Sequence, residues 1–318
     1  MNRMLVLAAL VFAAATGSPL SHAQAPWFEV VVAGPQDEPV PLQGVDEVSV
    51  DDIVFDYRDL GRADARGNRL YGPGKPHWGS ARITLQPGPD ADWLHQWFRE
   101  VSSGKSIRKS ISVVLFRTTS GEPVREYIFH DCLPLRWKAP ELNSADGTGK
   151  AAGTITVKIG RIEFTTRIQP PSSPPGNVSV SLADEDGDIG TDSWDSWAGG
   201  APLLHMDQLF GGAKYRTNSP GHKSVGELTL RGGFWLSKKG YDYWMARALE
   251  GKPRLKGLVI TESAAGRPST GRGAKPARQY TYHDCFPVRY VFPRMSVTNT
   301  TGNTMEEVTI KPIRVELK

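Results

Sequence analysis

Tyr127-Ile128-Phe129-His130-Asp131-Cys132-Leu133-Pro134-Leu135-Arg136 returns, 153 residues later, as Tyr280-Thr281-Tyr282-His283-Asp284-Cys285-Phe286-Pro287-Val288-Arg289. The match runs without a gap from Tyr127–Phe164 onto Tyr280–Leu317, and 13 of its 38 positions are identical. Lys158/Lys311, Arg161/Arg314 and Glu163/Glu316 are among them. A fixed-offset repeat is the mark of one structural unit used twice. A residue present in both copies is therefore expected to serve the fold rather than a single active site.

Working outward, the first copy opens on the alternating run Phe28 to Val32 and continues with strand signals at Val45 to Tyr57 and Ala81 to Leu85. The Gly, Arg and Pro content of Gly61 to Pro76 predicts a long loop between them. Trp93, Leu94, Trp97, Phe98 and Val101 form one apolar stripe at helical spacing, with Asp90 or Asp92 to cap its start and Gly104 to end it. Strands follow at Ile111 to Phe116, Tyr127 to Leu133 and Thr154 to Phe164. The second copy keeps this order. Val178 to Leu182 opens it, and Glu227 to Leu230 answers Arg82 to Leu85. Tyr241, Trp244, Met245, Ala248 and Leu249 repeat the helical stripe, ended by Gly251. The helix offset is 147, and the six extra residues before Tyr280 fall in the loop Glu262 to Gln279. Both closing strands shift phase at matched places, Gly160 and Pro312, which predicts a bulge or bend.

The expected organisation is a signal peptide at 1–23, a first domain at 24–168, a Pro-rich linker at 169–177 and a second domain at 178–318. Arg3 and the 11 apolar residues Leu5 to Ala15 suit a secretory signal, with cleavage after Ala23, and are too few to span a bilayer. No later segment is apolar enough to be a membrane anchor. Export places the mature chain in the periplasm or outside the cell. The formal charge falls from +4 to +3 on losing Arg3, which does not point to specific nucleic-acid binding. With 33 Gly and 24 Pro the chain suits turn-rich β structure. The fold class expected is mainly β: two tandem barrel or sandwich domains, each with one α-helix packed on its side.

Three motifs carry chemical alternatives. His130 and Cys132, like His283 and Cys285, would share a strand face and could form a Cys–His nucleophile. Their duplication favours a structural role, with both thiols free and buried. Asp184, Asp186, Asp188, Asp192 and Asp195 fall at EF-hand positions 1, 3, 5, 9 and 12, but the glycine, Gly190, stands at position 7 rather than 6 and the last ligand is Asp. An acidic solvated turn is the plainer reading, weak calcium binding the alternative. Gly266 to Gly273 lacks the Lys and Ser/Thr of a phosphate loop. With Arg267, Arg272, Lys275 and Arg278 it reads as a basic loop, or as a contact to an acidic partner or the next ring. No catalytic residue, cofactor or metal is assigned.

The ordered set also resembles the tail tube proteins of contractile phages, the group that includes the haemolysin-coregulated tube proteins of type VI secretion. In copy one the resemblance rests on Phe28 to Val32, Gly44 to Val48, Val54 to Arg58, Leu70-Tyr71-Gly72, Arg82 to Leu85, Trp93 to Trp97, Ile111 to Leu115 and Tyr127 to Trp137. In copy two it rests on Glu227 to Gly232, Trp244 and Tyr280 to Tyr290. It implies a non-enzymatic barrel that joins edge to edge into six-membered rings stacked as a hollow tube. Two fused copies would need three chains per pseudo-sixfold ring. The partners implied are further copies of the chain and sheath-, baseplate- or spike-like proteins. The competing reading is a monomeric secreted binding module with two β-domains, using the acidic turn for calcium.

Overall fold

The computed structural model describes residues 27–33, 38–117, 121–139, 152–166, 178–184, 187–211, 215–233, 236, 238–252, 255–262, 278–298 and 305–317. The expected signal peptide, the linker 169–177 and the Gly266 to Gly273 loop lie outside the described residues.

The first unit runs β1 (Phe28–Ala33), β2 (Pro39–Pro41), β3 (Val45–Val50), β4 (Ile53–Ala63), β5 (Arg69–His77), β6 (Ser80–Leu85), α1 (Pro89–Ser102), β7 (Lys109–Phe116), β8 (Pro123–Lys138), β9 (Gly153–Lys158) and β10 (Arg161–Thr166). The second runs β11 (Val178–Ala183), β12 (Asp188–Trp194), β13 (Ser196–Gly199), β14 (Pro202–Gly211), β15 (Tyr215–Val225), β16 (Leu228–Gly233), α2 (Lys239–Leu249), β17 (Leu255–Glu262), β18 (Arg278–Val291), β19 (Met295–Ser296), β20 (Met305–Lys311) and β21 (Arg314–Leu317). The fold is mainly β, two tandem units with one helix each.

In the first sheet the strands lie in the order β19-β3-β6-β9-β8-β7-β1-β2, with β10 also on β8. In the second the order is β12-β11-β17-β18-β20-β16-β13, with β21 and β4 also on β18. Strand registers match between the units. Ile111 pairs with Phe129 in β7–β8, and Leu258 pairs with Tyr282 in β17–β18. Ala81 pairs with Val157, and Leu228 pairs with Ile310. The last pair corrects the expected match of Glu227 with Arg82: the offset is 147 from this strand through the helix to β7/β17.

Period-two patterning explains the strands. Val30 and Val32, or Ile155 and Val157, point inward and are almost fully buried, and their neighbours are not. The helix stripe holds as well: Ala91, Leu94 and Trp97 of α1 are buried, as are Tyr241, Trp244, Met245 and Ala248 of α2. Burying a large apolar side chain contributes about 2–3 kcal/mol. Both helices end before a glycine in the left-handed region, Gly104 at φ 95 and Gly251 at φ 88. The cap at the start of α1 differs from expectation. Gly88 is the N-cap, no side chain caps it, and Asp90 instead accepts the Gln43 N–H at 2.6 Å.

The predicted loop Gly61 to Pro76 is instead most of a hairpin arm, β4–β5, and β14–β15 is its counterpart in the second unit. The helix consequently follows six strands rather than three in the first unit. The expected bends at Gly160 and Pro312 are real breaks, where β9 gives way to β10 and β20 to β21.

Candidate functional site: the joint between the two units

The His-Asp-Cys motif sits at a corner. Strand β8 pairs with β10 up to His130 and with β7 up to Cys132, then leaves them to pair with β9 from Leu133. The turn is made by Asp131 at φ 53, and by Asp284 at φ 52 in the second unit. These are the non-glycine residues with positive φ among the described residues, a region Asp tolerates better than most. Matched hydrogen bonds close each corner: Gly160 N–H to His130 O at 3.0 Å, Ile313 N–H to His283 O at 3.1 Å.

This geometry corrects the expectation that His and Cys share a face. The left-handed residue between them breaks the strand period. His130 Nε2 turns to Glu163 Oε2 at 3.1 Å, and His283 Nε2 lies 3.5 Å from Glu316. Cys132 turns inward, where its Sγ–H donates to Phe129 O at 3.4 Å. Burial, then Asp131, pushes that thiol up to about 12, and burial also raises Cys285. A thiol held protonated makes a poor nucleophile. Both cysteines are free and buried.

The acidic series after β11 is dispersed into structural contacts. Asp184 pairs with Arg247, Asp188 accepts from Gly190 N–H at 2.9 Å, and Asp195 accepts from Gly233 N–H at 2.8 Å. Asp192 accepts from Gly240 and Tyr241 N–H at 3.0 and 2.6 Å, satisfying the start of α2. Burial raises its pKa to about 7. Asp186 lies outside the described residues.

The structure concentrates its interactions where the two units meet. Ile53 and Val54 of β4 pair with Tyr290 and Arg289 of β18, so the first unit's arm extends the second unit's sheet. Side chains fix the arm. Tyr57 packs on Phe286 with ring centroids 5.8 Å apart, and its hydroxyl donates to Glu227 at 2.9 Å. Lys311 Nζ lies 4.7 Å from the Tyr71 ring, and Arg289 Nε donates to Asp52 at 2.7 Å. In return, Met295 and Ser296 of β19 pair with β3, and Arg294 grips Glu47 through two bonds of 2.9 Å. Phe292 reaches among Tyr127, Phe129 and Phe164. One apolar core therefore runs through both units.

At the centre of the joint lies a buried ionic cluster. Arg125 of β8 binds Asp242 of α2, and its Nη1 donates to Glu306 Oε2 at 3.0 Å. Lys238 Nζ reaches the same carboxylate at 2.6 Å, and Tyr127 and Tyr290 both donate to Glu306 Oε1, the latter at 3.0 Å. Burial opposes ionisation of Glu306, but Arg125 and Lys238 outweigh it and hold its pKa at about 2. Two cations and two carboxylates balance, so the cluster is internally neutral. Charges that exact their dehydration cost yet hold each other at one geometry define a joint that does not slip. Sequence reading missed this cluster, whose members lie up to 181 residues apart. The available signal was alternation: Glu306 shares its inward face with Val308 and Ile310, and Arg125 continues the face of Tyr127 and Phe129.

The arm of one unit thus adds a strand to the exposed sheet edge of the next. Residues 24–165 match the family described as T4-like virus tail tube protein gp19, so the first unit is tail tube-like. Solved structures similar to this chain include the sheath/tube terminator of the extracellular contractile injection system PVC (20% identity, TM-score 0.36, 48% of this chain and 100% of that chain). Others are the baseplate of the anti-feeding prophage (14%, 0.36, 48% and 98%) and Hcp1 from Flavobacterium johnsoniae (16%, 0.29, 44% and 95%). A search of curated proteins finds no match.

Proposed function

We propose that this chain is an exported, non-enzymatic structural protein that assembles into rings or tubes, with three chains giving a pseudo-sixfold ring. The signal peptide at 1–23 is removed, and the units at 24–168 and 178–318 are joined by the linker 169–177. One observation carries the reading. The arm β4–β5 of the first unit fills the edge of β18 at Arg289–Tyr290. The matching edge of β8, at Arg136–Trp137, pairs only with β9 among the described residues. The second unit's arm β14–β15 forms a two-stranded sheet, bridged from Lys223 to Asn68 in the turn between β4 and β5. Each chain thus has one filled joint and the two halves of another, which head-to-tail copies complete. Stacked rings would meet sheath-, baseplate- or spike-like partners. No helix among the described residues is long and apolar enough to cross a membrane.

Light scattering on the mature chain, across concentration and salt, tests this. The expected mass is three chains or a multiple of three. A single-chain mass under every condition would sink the ring and leave a monomeric binding module.

A further inference from the structure

The matched registers show which residues would face each other in the second joint, and the chemistry there differs from the first. Asp242 of α2 occupies the position of His95 on α1, and Lys238 that of Ala91. Glu306 occupies the position of Gly153, and Tyr290 that of Trp137. On the opposing side, Arg125 corresponds to Arg278 and Tyr127 to Tyr280. The buried cluster therefore has no carboxylate counterpart on the α1 face. In its place His95 stacks on Trp137, with ring centroids 5.0 Å apart and planes at 22°.

That face is open. Asp92, His95, Gln96, Arg99, Glu100 and Ser103 line a groove of about 570 Å³ along α1. The adjoining β8 edge exposes Leu135 at 52%. On α2 the same helix face is covered by the first unit's β10 and by Arg125.

We propose that the α1–β8 face binds the second unit of another copy of this chain, through a joint centred on the His95–Trp137 stack. The inference rests on the ring reading and specifies its interface. The occupant follows from continuity with the joint already formed: the same helix face and strand edge, in the same register, hold the same elements there. The chemical difference has a physical reason. A tethered joint forms at high effective concentration and carries the dehydration of four buried charges. A joint between separate chains forms from dilute solution, and an aromatic stack avoids that cost.

The test is the concentration at which the mature chain assembles, read by light scattering, with circular dichroism confirming each variant's fold. His95→Ala removes one ring of the stack and should raise that concentration several-fold. Trp137→Ala should raise it about tenfold, the loss expected for a central aromatic anchor. If the wild type assembles but His95→Ala and Trp137→Ala leave its midpoint unchanged, the face assignment is wrong and the ring stands. If the wild type never assembles, the ring fails and the interface with it.

Discussion

Arg125 of the first unit and Glu306 of the second bond at 3.0 Å with side chains 3% and 0% exposed. The contact joins residues 181 apart and places ionised groups where the fold otherwise buries Tyr127, Phe164 and Phe292. An ion pair of this kind contributes little net stability over an apolar replacement, but losing one partner strands the other in a dry site.

Glu306→Gln should therefore destabilise the chain by about 3–5 kcal/mol, because Arg125 and Lys238 stay buried without their shared anion. Urea unfolding of the mature protein measures this. The effect has a pH signature. The folded carboxyl titrates at about 2, below its ordinary 4.5, so its contribution is complete above about 4.5 and disappears as pH falls towards 2. The gap between wild type and variant should close over that window.

Asp192 should show the opposite slope. Its folded pKa of about 7 lies above its ordinary 3.8, so the folded state holds the proton more tightly. Stability from this group declines as pH rises from about 4 to about 7. Asp192→Asn keeps one of the two oxygen acceptors that Gly240 and Tyr241 use and removes the titration. Its unfolding free energy, compared with wild type across that range, should lack the decline.

Phe286→Ala and Leu133→Ala probe matched positions under a filled and an open edge. Phe286 is buried beneath Tyr57 of the arm, and its truncation should cost about 3–5 kcal/mol. Leu133 is half-buried in the single chain and should cost about 1 kcal/mol under dilute, unassembled conditions. Equal costs in urea titrations would show that the arm does not cover the β18 edge.

Asp131 tests the corner. At φ 53, Asp131→Gly should be tolerated, and Asp131→Val should cost about 1–3 kcal/mol through backbone strain. Thermal unfolding of the two variants separates conformational need from side-chain chemistry.

Much of this architecture is legible in the sequence because its physics is local. The Trp97 and Trp244 stripes declare their helices, Val30 and Val32 alternate, and the paired Tyr127/Tyr280 stretches announce two units. The arms are not legible in this way. Arg69 to His77 carries Gly72, Pro73, Gly74 and Pro76, which read as turn residues, yet β5 pairs along its length with β4. Its strand character comes from pairing and from contact with the other unit, not from its own alternation. The ionic cluster was hidden for a related reason. A buried charge is intelligible only once its partner is placed, and Arg125, Asp242 and Glu306 come together through tertiary structure. The His-Asp-Cys pair was half legible: duplication marked it as structural, whereas the left-handed Asp that separates His130 from Cys132 needed coordinates.

The most direct measurement is electron microscopy of the purified mature chain, with symmetry analysis of end-on particles. The expected image is a hollow ring of six similar lobes that average best under threefold symmetry, because filled and newly formed joints alternate. Uniform single-chain particles at every concentration would contradict it.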